Sequence, residues 1–483
     1  LRQTISDLYE DCSTNVGGSS IRVTRGVMQG DPLSSILFNL VIEMAMSDVP
    51  ESLGISYEGH RLFYMTFADD LVLLSRNQKT HQVLVNSVSA RLYQVGLELH
   101  PAKCKSLAIR ADGKRKTTFI DTDQKISING SEIPSMNTQE WYRYLGIKIG
   151  ATGSPKGLYL KEIRDLLERT TKAPLKPYQR MCILRTNILP KFNHRLMFNK
   201  VSCQVLTQLD KEIRAHVRLW LKLPKDVPNS AFYADLSSGG LGLLCLRQRI
   251  PLLKKQRIGR MGESEDPLVR LLVTTEPTRT NLQQWSKRCR FEGKAYNSKL
   301  ELSELTRASL WKTCDGKGLR TVVSPSVSRP SFRQLGYDKT SLKAAQQIGA
   351  IGVRLNCLNT PARKNRGGQN PPEYNYCDKC PGVRRVATLG HISQSCPATH
   401  GLRVKRHDKI VQKLKTYFEA KESIITVLVE PHLKCGTQAL RKPDIIVNTG
   451  KSVEIIDVQV VSDQGIAREE DEDRLRKTDK YDT

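Results

Sequence analysis

Two adjacent aspartates lie inside a short apolar run, Phe63-Tyr64-Met65-Thr66-Phe67-Ala68-Asp69-Asp70-Leu71-Val72-Leu73-Leu74. Aromatic and branched residues on both sides, without helical spacing, predict strand, turn and strand. Two neighbouring carboxylates at a bend repel each other and are costly to desolvate unless a cation is near. Mg²⁺ is the simplest such cation, because it takes carboxylates together with phosphate oxygens. Two such ions clamp the attacking and leaving oxygens of a phosphoryl transfer. The plain alternative is a solvated Asp-Asp turn in an ordinary hairpin, and the pair alone does not choose between them.

Charge narrows the partner. The 483 residues carry 76 basic and 49 acidic side chains, a formal net charge of +27. That excess points to a polyanion, with nucleic acid first and a membrane surface second. No apolar run is long enough to span a bilayer and no export signal opens the chain, so no membrane partner is expected. The length suits two to four domains. The chain begins at Leu1 in mid-pattern and is read as a fragment.

Residues 1–150 alternate between helix and strand. Helices are expected at 1–12, 31–46 and 79–95, the second opened by Asp31 as cap and Pro32 in the first turn. Short strands are expected at 21–23, 107–110, 125–128 and 144–149. Apolar spacing then predicts helices at 158–171, 175–189 and 203–221. Residues 237–242 form a turn-rich joint. Residues 250–335 hold basic helical stretches without a motif, and 363–372 read as a basic loop or hinge. A helix near 402–420 precedes strands near 424–430, 444–447 and 453–461. The acidic run 469–473 reads as a solvated helical face.

Twelve cysteines are present, but only Cys377, Cys380 and Cys396 cluster. With His391 they give C-x2-C-x10-H-x4-C, the ligand types and loop lengths of a tetrahedral Zn²⁺ site. His400 is a possible substitute ligand, and Gly382 and Gly390 let the chain turn back. The following stretch, with Arg403, Lys405, Arg406, His407 and Lys409, suits phosphate contacts.

Near the end, Asp444 opens one expected strand and Asp457 lies in the next. Adjacent strands would bring them together around Mg²⁺, as phosphodiester hydrolysis requires. A lysine commonly polarises the attacking water, yet the position two after Asp457 is Gln459. Lys477 and Lys480 are therefore both candidates. Glu454 falls on the opposite strand face from Asp457 and is read as structural.

Three more pieces flank the aspartates: Gln29-Gly30-Asp31-Pro32, the run Gly96–Cys104 with Lys103, and Tyr144-Leu145-Gly146. In this order and spacing the chain resembles reverse transcriptases of non-LTR retrotransposons. The resemblance implies that Asp69 binds both metals and Asp70 is an accessory carboxylate. It implies that Gln29 and Gly30 line the template and incoming nucleotide. Lys103 matches a lysine near the triphosphate, though an exposed cation is an equal reading. Tyr144 and Gly146 resemble the primer grip. The Pro443-Asp444…Asp457 arrangement after a zinc knuckle resembles the restriction-like endonuclease of site-specific elements that insert into ribosomal RNA genes.

The expected architecture is multidomain α+β. It comprises a partial right-hand polymerase palm (1–150), a helical thumb (151–235), a basic helical linker (236–372), a CCHC zinc knuckle (373–400) and an α/β PD-(D/E)xK-type endonuclease (401–483). The implied activity is RNA-directed DNA polymerisation plus DNA nicking, by target-primed reverse transcription in the nucleus. The implied partners are element RNA, target DNA and deoxynucleoside triphosphates, with Mg²⁺ and Zn²⁺ as cofactors. The family's first palm motif, with its own metal-binding Asp, has no counterpart here, so the fragment is not expected to polymerise alone. The alternatives are a catalytically inactive nucleic-acid-binding remnant and another lineage such as a group II intron protein.

Overall fold

The aspartate run folds as expected. In this computed structural model Tyr64–Phe67 and Asp70–Leu73 pair antiparallel, with Phe67 opposite Asp70 and Ala68-Asp69 at the turn. The structure describes residues 2–10, 12–23, 26–151, 158–319, 343–366, 368, 370–380, 382–422, 424–435 and 439–460. Lys477, Lys480 and the acidic run 469–473 lie outside them. The chain divides into two units. One comprises Leu1–Leu158, Phe198–Lys200 and Met261–Thr275, and the other the remainder.

In the first unit, Asp31 caps the helix Pro32–Ser47 by accepting the Leu33 N–H at 3.1 Å, with Pro32 in the first turn. Its Ile42, Ala45 and Met46 pack with Phe63, Leu84, Val88 and Leu92 beneath the hairpin. The helix Gln78–Gln94 starts at Asn77, whose side chain accepts the Thr80 N–H. A second small core joins its Val85 to Ile126, Ile128 and Ile133. The expected strand at 144–149 is instead a hairpin, Tyr142–Tyr144 against Ile147–Ile149. Leu145 (φ 49°) and Gly146 (φ 79°) form its turn. Two successive left-handed residues match the right-handed twist of a tight hairpin, and glycine reaches that region without strain.

In the second unit the helices Leu158–Lys172 and Cys203–Leu221 match their expected spans. The middle helix differs. Apolar spacing ends it at Leu189, whereas the chain runs on helically, past Pro190, to Phe198. A single wide turn at Leu184–Ile188 precedes the proline. Such a turn absorbs the backbone bond that proline cannot donate. Ile163, Leu167, Phe192, Leu206, Ile213 and Trp220 share one core that extends to Leu355 and Cys357. The 237–242 joint is packed into it: a Cβ on Gly240 would meet the Ala234 carbonyl oxygen at 2.1 Å.

Two arginines of the stretch expected as a basic loop or hinge belong to an ion cluster. Arg363 is 4% exposed and meets Asp315 at 2.7 Å and Asp226 at 3.0 Å. Arg366 joins Asp315 at 2.6 Å. Opposite charge compensates the buried Arg363 and Asp315, while Asp226 and Arg366 stay partly exposed. Further on, the helix His400–Glu419 packs Val411, Leu414 and Phe418 on a three-stranded sheet. Its strands are Thr426–Val429, Ile445–Asn448 and Val453–Ile456, all antiparallel with Ile445–Asn448 central. No helix among the described residues is long and apolar enough to cross a membrane.

Asp210, buried in Cys203–Leu221, accepts the Leu246 and Arg247 N–H groups at 2.8 Å each and so caps the helix Leu246–Gly262 from outside. Burial raises its carboxyl to about 6, against the pull of those N–H groups. The protonated acid is thus the form the fold favours. Its contribution is full below about pH 4 and is lost as pH rises toward 6. Asp210→Ala should lower the unfolding free energy by about 1–3 kcal/mol in urea titrations. The gap from wild type should shrink between about pH 4 and pH 6; a gap that widens would contradict this assignment.

Candidate functional site

The Asp69 turn opens onto a groove of about 830 Å³ lined by Gln29, Gly30, Asp31, Asn39, Glu43 and Phe67, among others. Two motifs some forty residues apart thus share one surface. Ala68 holds the turn at φ 51°, a costly conformation for a residue with a Cβ. Thr66 Oγ1 braces it by donating to the Ala68 carbonyl at 3.1 Å. Asp69 is exposed at the groove, and Phe67, 66% exposed, gives it an apolar wall. Gly30 sits at φ 94° in the turn before the capped helix.

Asp70, half-buried at the strand start, acts on the Tyr144 hairpin. Burial, and then the Asp70 charge, push the Tyr144 phenol up from its ordinary value. Tyr142 is raised by burial first, then by Cys104 and Asp70. The Tyr142 hydroxyl donates to the Lys103 carbonyl at 3.3 Å, which ties the Pro101–Lys103 turn to this hairpin. The Lys103 side chain is exposed. Glu43 escaped the sequence reading. It stands four residues after Asn39 and eight after Ser35, the polar stripe of an otherwise apolar helix, and that spacing is the signal. Burial and the Glu43 charge together raise the Tyr64 phenol.

Cys377, Cys380, His391 and Cys396 converge, with all four ligand atoms within 4.8 Å of one another. Cys377 Sγ lies 3.8 Å and Cys380 Sγ 3.9 Å from Cys396 Sγ, and Cys380 Sγ lies 3.4 Å from His391 Nε2. A tetrahedral shell with metal–sulfur bonds of about 2.3 Å has edges of roughly 3.8 Å, so the donors fit a metal ion. Ser395 Oγ lies 3.1 Å from His391 Nδ1 and fixes the ring. Burial, and then the neighbouring thiols, push Cys380 up to about 11. His400 is not part of this group; its Nδ1 meets Arg403 at 3.4 Å. Gly382 does turn left-handed at φ 82°, whereas Gly390 is helical at φ −57° and places no such demand on the chain. Arg403 donates to the Cys396 carbonyl at 2.6 Å, and Arg406 to Gln394 Oε1 at 3.1 Å. Both guanidinium groups therefore clip this knob to the helix that follows.

Asp444 and Asp457 meet at the ends of neighbouring strands. Because Ile445 pairs with Ile456, the residues just outside that pair face one another. The Asp444 N–H donates to Asp457 Oδ1 at 3.3 Å, and the Val458 N–H to Asp444 Oδ2 at 2.6 Å. From the helix, His407 Nε2 lies 3.1 Å from Asp444 Oδ2. Burial would lower the imidazole, but hydrogen bonds with Asp444 and Asp408 outweigh it and raise it. In the sequence His407 stands only within a basic run. Its distance of 37 residues from Asp444 left no local signal.

Residues 2–149 match the family described as reverse transcriptase (RNA-dependent DNA polymerase). The Pol polyprotein of a type-1 R2 retrotransposable element from Nasonia vitripennis is 34% identical over 96% of this chain and 43% of its own length. That of the type-2 element R2DM from Drosophila melanogaster is 33% identical over 99% and 44%. A third, from a type-1 R2 element of Popillia japonica, is 27% identical over 82% of this chain and 79% of its own length. The chain thus spans less than half the length of the first two.

The cysteine–histidine cluster yields a direct expectation. Chelation should make the Cys377, Cys380 and Cys396 thiols reactive to a disulfide reagent and remove amide-exchange protection across 375–400. Cys380→Ser should reproduce the loss of protection. Protection that survives both treatments would exclude a metal-held fold there.

Proposed function

We propose, on the premise that this chain is homologous over nearly its whole length to R2 retrotransposon Pol polyproteins, that it carries RNA-directed DNA polymerase and DNA-nicking sites of a non-LTR element. One strand of target DNA is nicked, the exposed 3′-hydroxyl primes, and element RNA is copied in place from deoxynucleoside triphosphates. Residues 1–150 act as palm, 151–235 as thumb, 236–372 as linker, 373–400 as knuckle and 401–483 as endonuclease. The convergence of separated motifs on shared surfaces carries this reading: Gln29-Gly30 with Asp69, and Asp444 with Asp457. The reverse transcriptase match favours an enzyme over an inactive binding remnant.

Asp69 and Asp70 would hold Mg²⁺ in the palm, and Asp444 and Asp457 in the endonuclease. The bound ions supply charge stabilisation to the phosphodiester oxygens. Zn²⁺ suits the three thiols and one imidazole of the knuckle, where it is structural. In the palm, Gln29 and Gly30 line the template and incoming nucleotide, Tyr144 and Gly146 steady the primer end, and Lys103 approaches the triphosphate. In the endonuclease, His407 fixes Asp444 Oδ2, and the Val458 N–H holds the same oxygen from the backbone. Asp444 thereby keeps its other oxygen available. The water-polarising lysine is Lys477 or Lys480. Arg403 and Arg406 bring the knuckle and the basic helix to the DNA together. The target DNA places this work in the nucleus.

A supercoiled plasmid carrying a large-subunit ribosomal RNA gene, incubated with Mg²⁺, tests the nuclease half. Asp444→Asn and Asp457→Asn should each cut nicking by more than about 100-fold. His407→Ala should cost about 10- to 100-fold, with His407→Asn recovering part of it through its N–H donor. DNA binding without nicks by the wild-type chain would favour the inactive binder.

A further inference from the structure

A second groove in the first unit, of about 740 Å³, is lined by Gln82, Asn86, Tyr93, Gln94, Ser127 and Asn129, among others, and by no charged side chain. Gln82, Asn86, Ala90 and Tyr93 form one stripe along the helix Gln78–Gln94. The Asn129-Gly130 turn, at φ 51° and 83°, closes the groove from the Ile126–Ile133 hairpin. In a chain whose residues are 26% charged, a neutral groove of this size is a feature to account for.

Its hydrogen bonding is one-sided. The Ser127 N–H can only donate, so Gln82 presents Oε1 to it at 2.9 Å. Gln82 Nε2 then donates to Asn86 Oδ1 at 2.8 Å and to the Ser127 carbonyl at 2.8 Å. Arg91, also donor only, takes Gln94 Oε1 at 3.3 Å. The Ser89 hydroxyl takes Asn129 Oδ1 at 3.3 Å. Four amide oxygens are thereby engaged by the protein, and the amide N–H groups of Asn86, Gln94 and Asn129 are left to the groove. Beside them stands the Tyr93 ring, 70% exposed. Lys79 is exposed one turn earlier on the same stripe.

We propose that this groove binds an unpaired uracil or thymine base of a single strand. Such a base offers two carbonyl acceptors to a donor-rich edge and a flat face to stack on Tyr93, while Lys79 meets a flanking phosphate. An adenine edge carries an amino donor that finds fewer acceptors here. The inference rests on the reading that the chain handles nucleic acid, but it concerns a surface separate from the Asp69 groove.

Fluorescence anisotropy at fixed salt with labelled oligouridylate, oligothymidylate, oligoadenylate and a duplex, all of one length, tests it. The pyrimidine strands should bind more tightly than oligoadenylate. Tyr93→Ala should weaken them by about 5- to 30-fold and leave the duplex within about twofold, while Tyr93→Phe behaves as wild type. The tighter of the two pyrimidine strands identifies RNA or DNA as the source. Wild-type binding that ignores Tyr93→Ala, an equal loss on the duplex, or equal affinity for oligoadenylate would overturn the proposal alone. A wild-type chain that binds no oligonucleotide would overturn it together with the nucleic-acid reading.

Discussion

Like charges brought together at strand ends are the constraint around which the rest is arranged. Two carboxylates about 4 Å apart near a protein surface repel by about 4 kcal/mol. A fold that maintains such an arrangement needs donors or cations that offset the repulsion. At Asp444 and Asp457 the chain supplies two backbone N–H groups and His407. At Asp69 and Asp70 one carboxylate is exposed at the open groove and the other is half-buried, within electrostatic reach of Tyr142 and Tyr144. The two solutions differ because one pair sits across a strand pair and the other in successive turn positions.

Small local devices fix these positions. The Asp31 cap and Pro32 set where the helix behind the Asp69 groove begins, and hence where Asn39 and Glu43 enter it. The left-handed Leu145 and Gly146 close the hairpin that carries Tyr144. The Ile445–Ile456 register decides that Asp444 meets Asp457, since a one-residue slip would send one of them to the other face. Asp210 plays the same part in the second unit, where one buried acid anchors the start of a helix from a different segment.

What could be read from the sequence was local or periodic. The aspartate hairpin, the capped helix, the knuckle spacing and the acid pair all announce themselves within about twenty residues. The features that escaped depend on long-range partners. His407 gains its meaning from Asp444, Glu43 from a groove shared with Asp69, and Arg363 from Asp226 and Asp315. Composition alone makes 363–372 a basic loop or hinge, because charge counts do not reveal which acids fold back onto Arg363 and Arg366. The helix continues past Leu189 although Pro190 forbids one backbone bond, because the wide turn before it absorbs that loss, and apolar spacing does not reveal such a turn.

The central claim is that the acid pairs are metal cradles for phosphodiester chemistry. Iron(II) can take the place of Mg²⁺ at carboxylate sites and, with ascorbate and peroxide, cut the backbone beside it. Mass spectrometry of the fragments should then find cuts beside Asp444 and Asp457 and at the Phe67–Asp70 turn, suppressed by excess Mg²⁺. Cleavage that spares both places, or that Mg²⁺ does not suppress, would contradict the account.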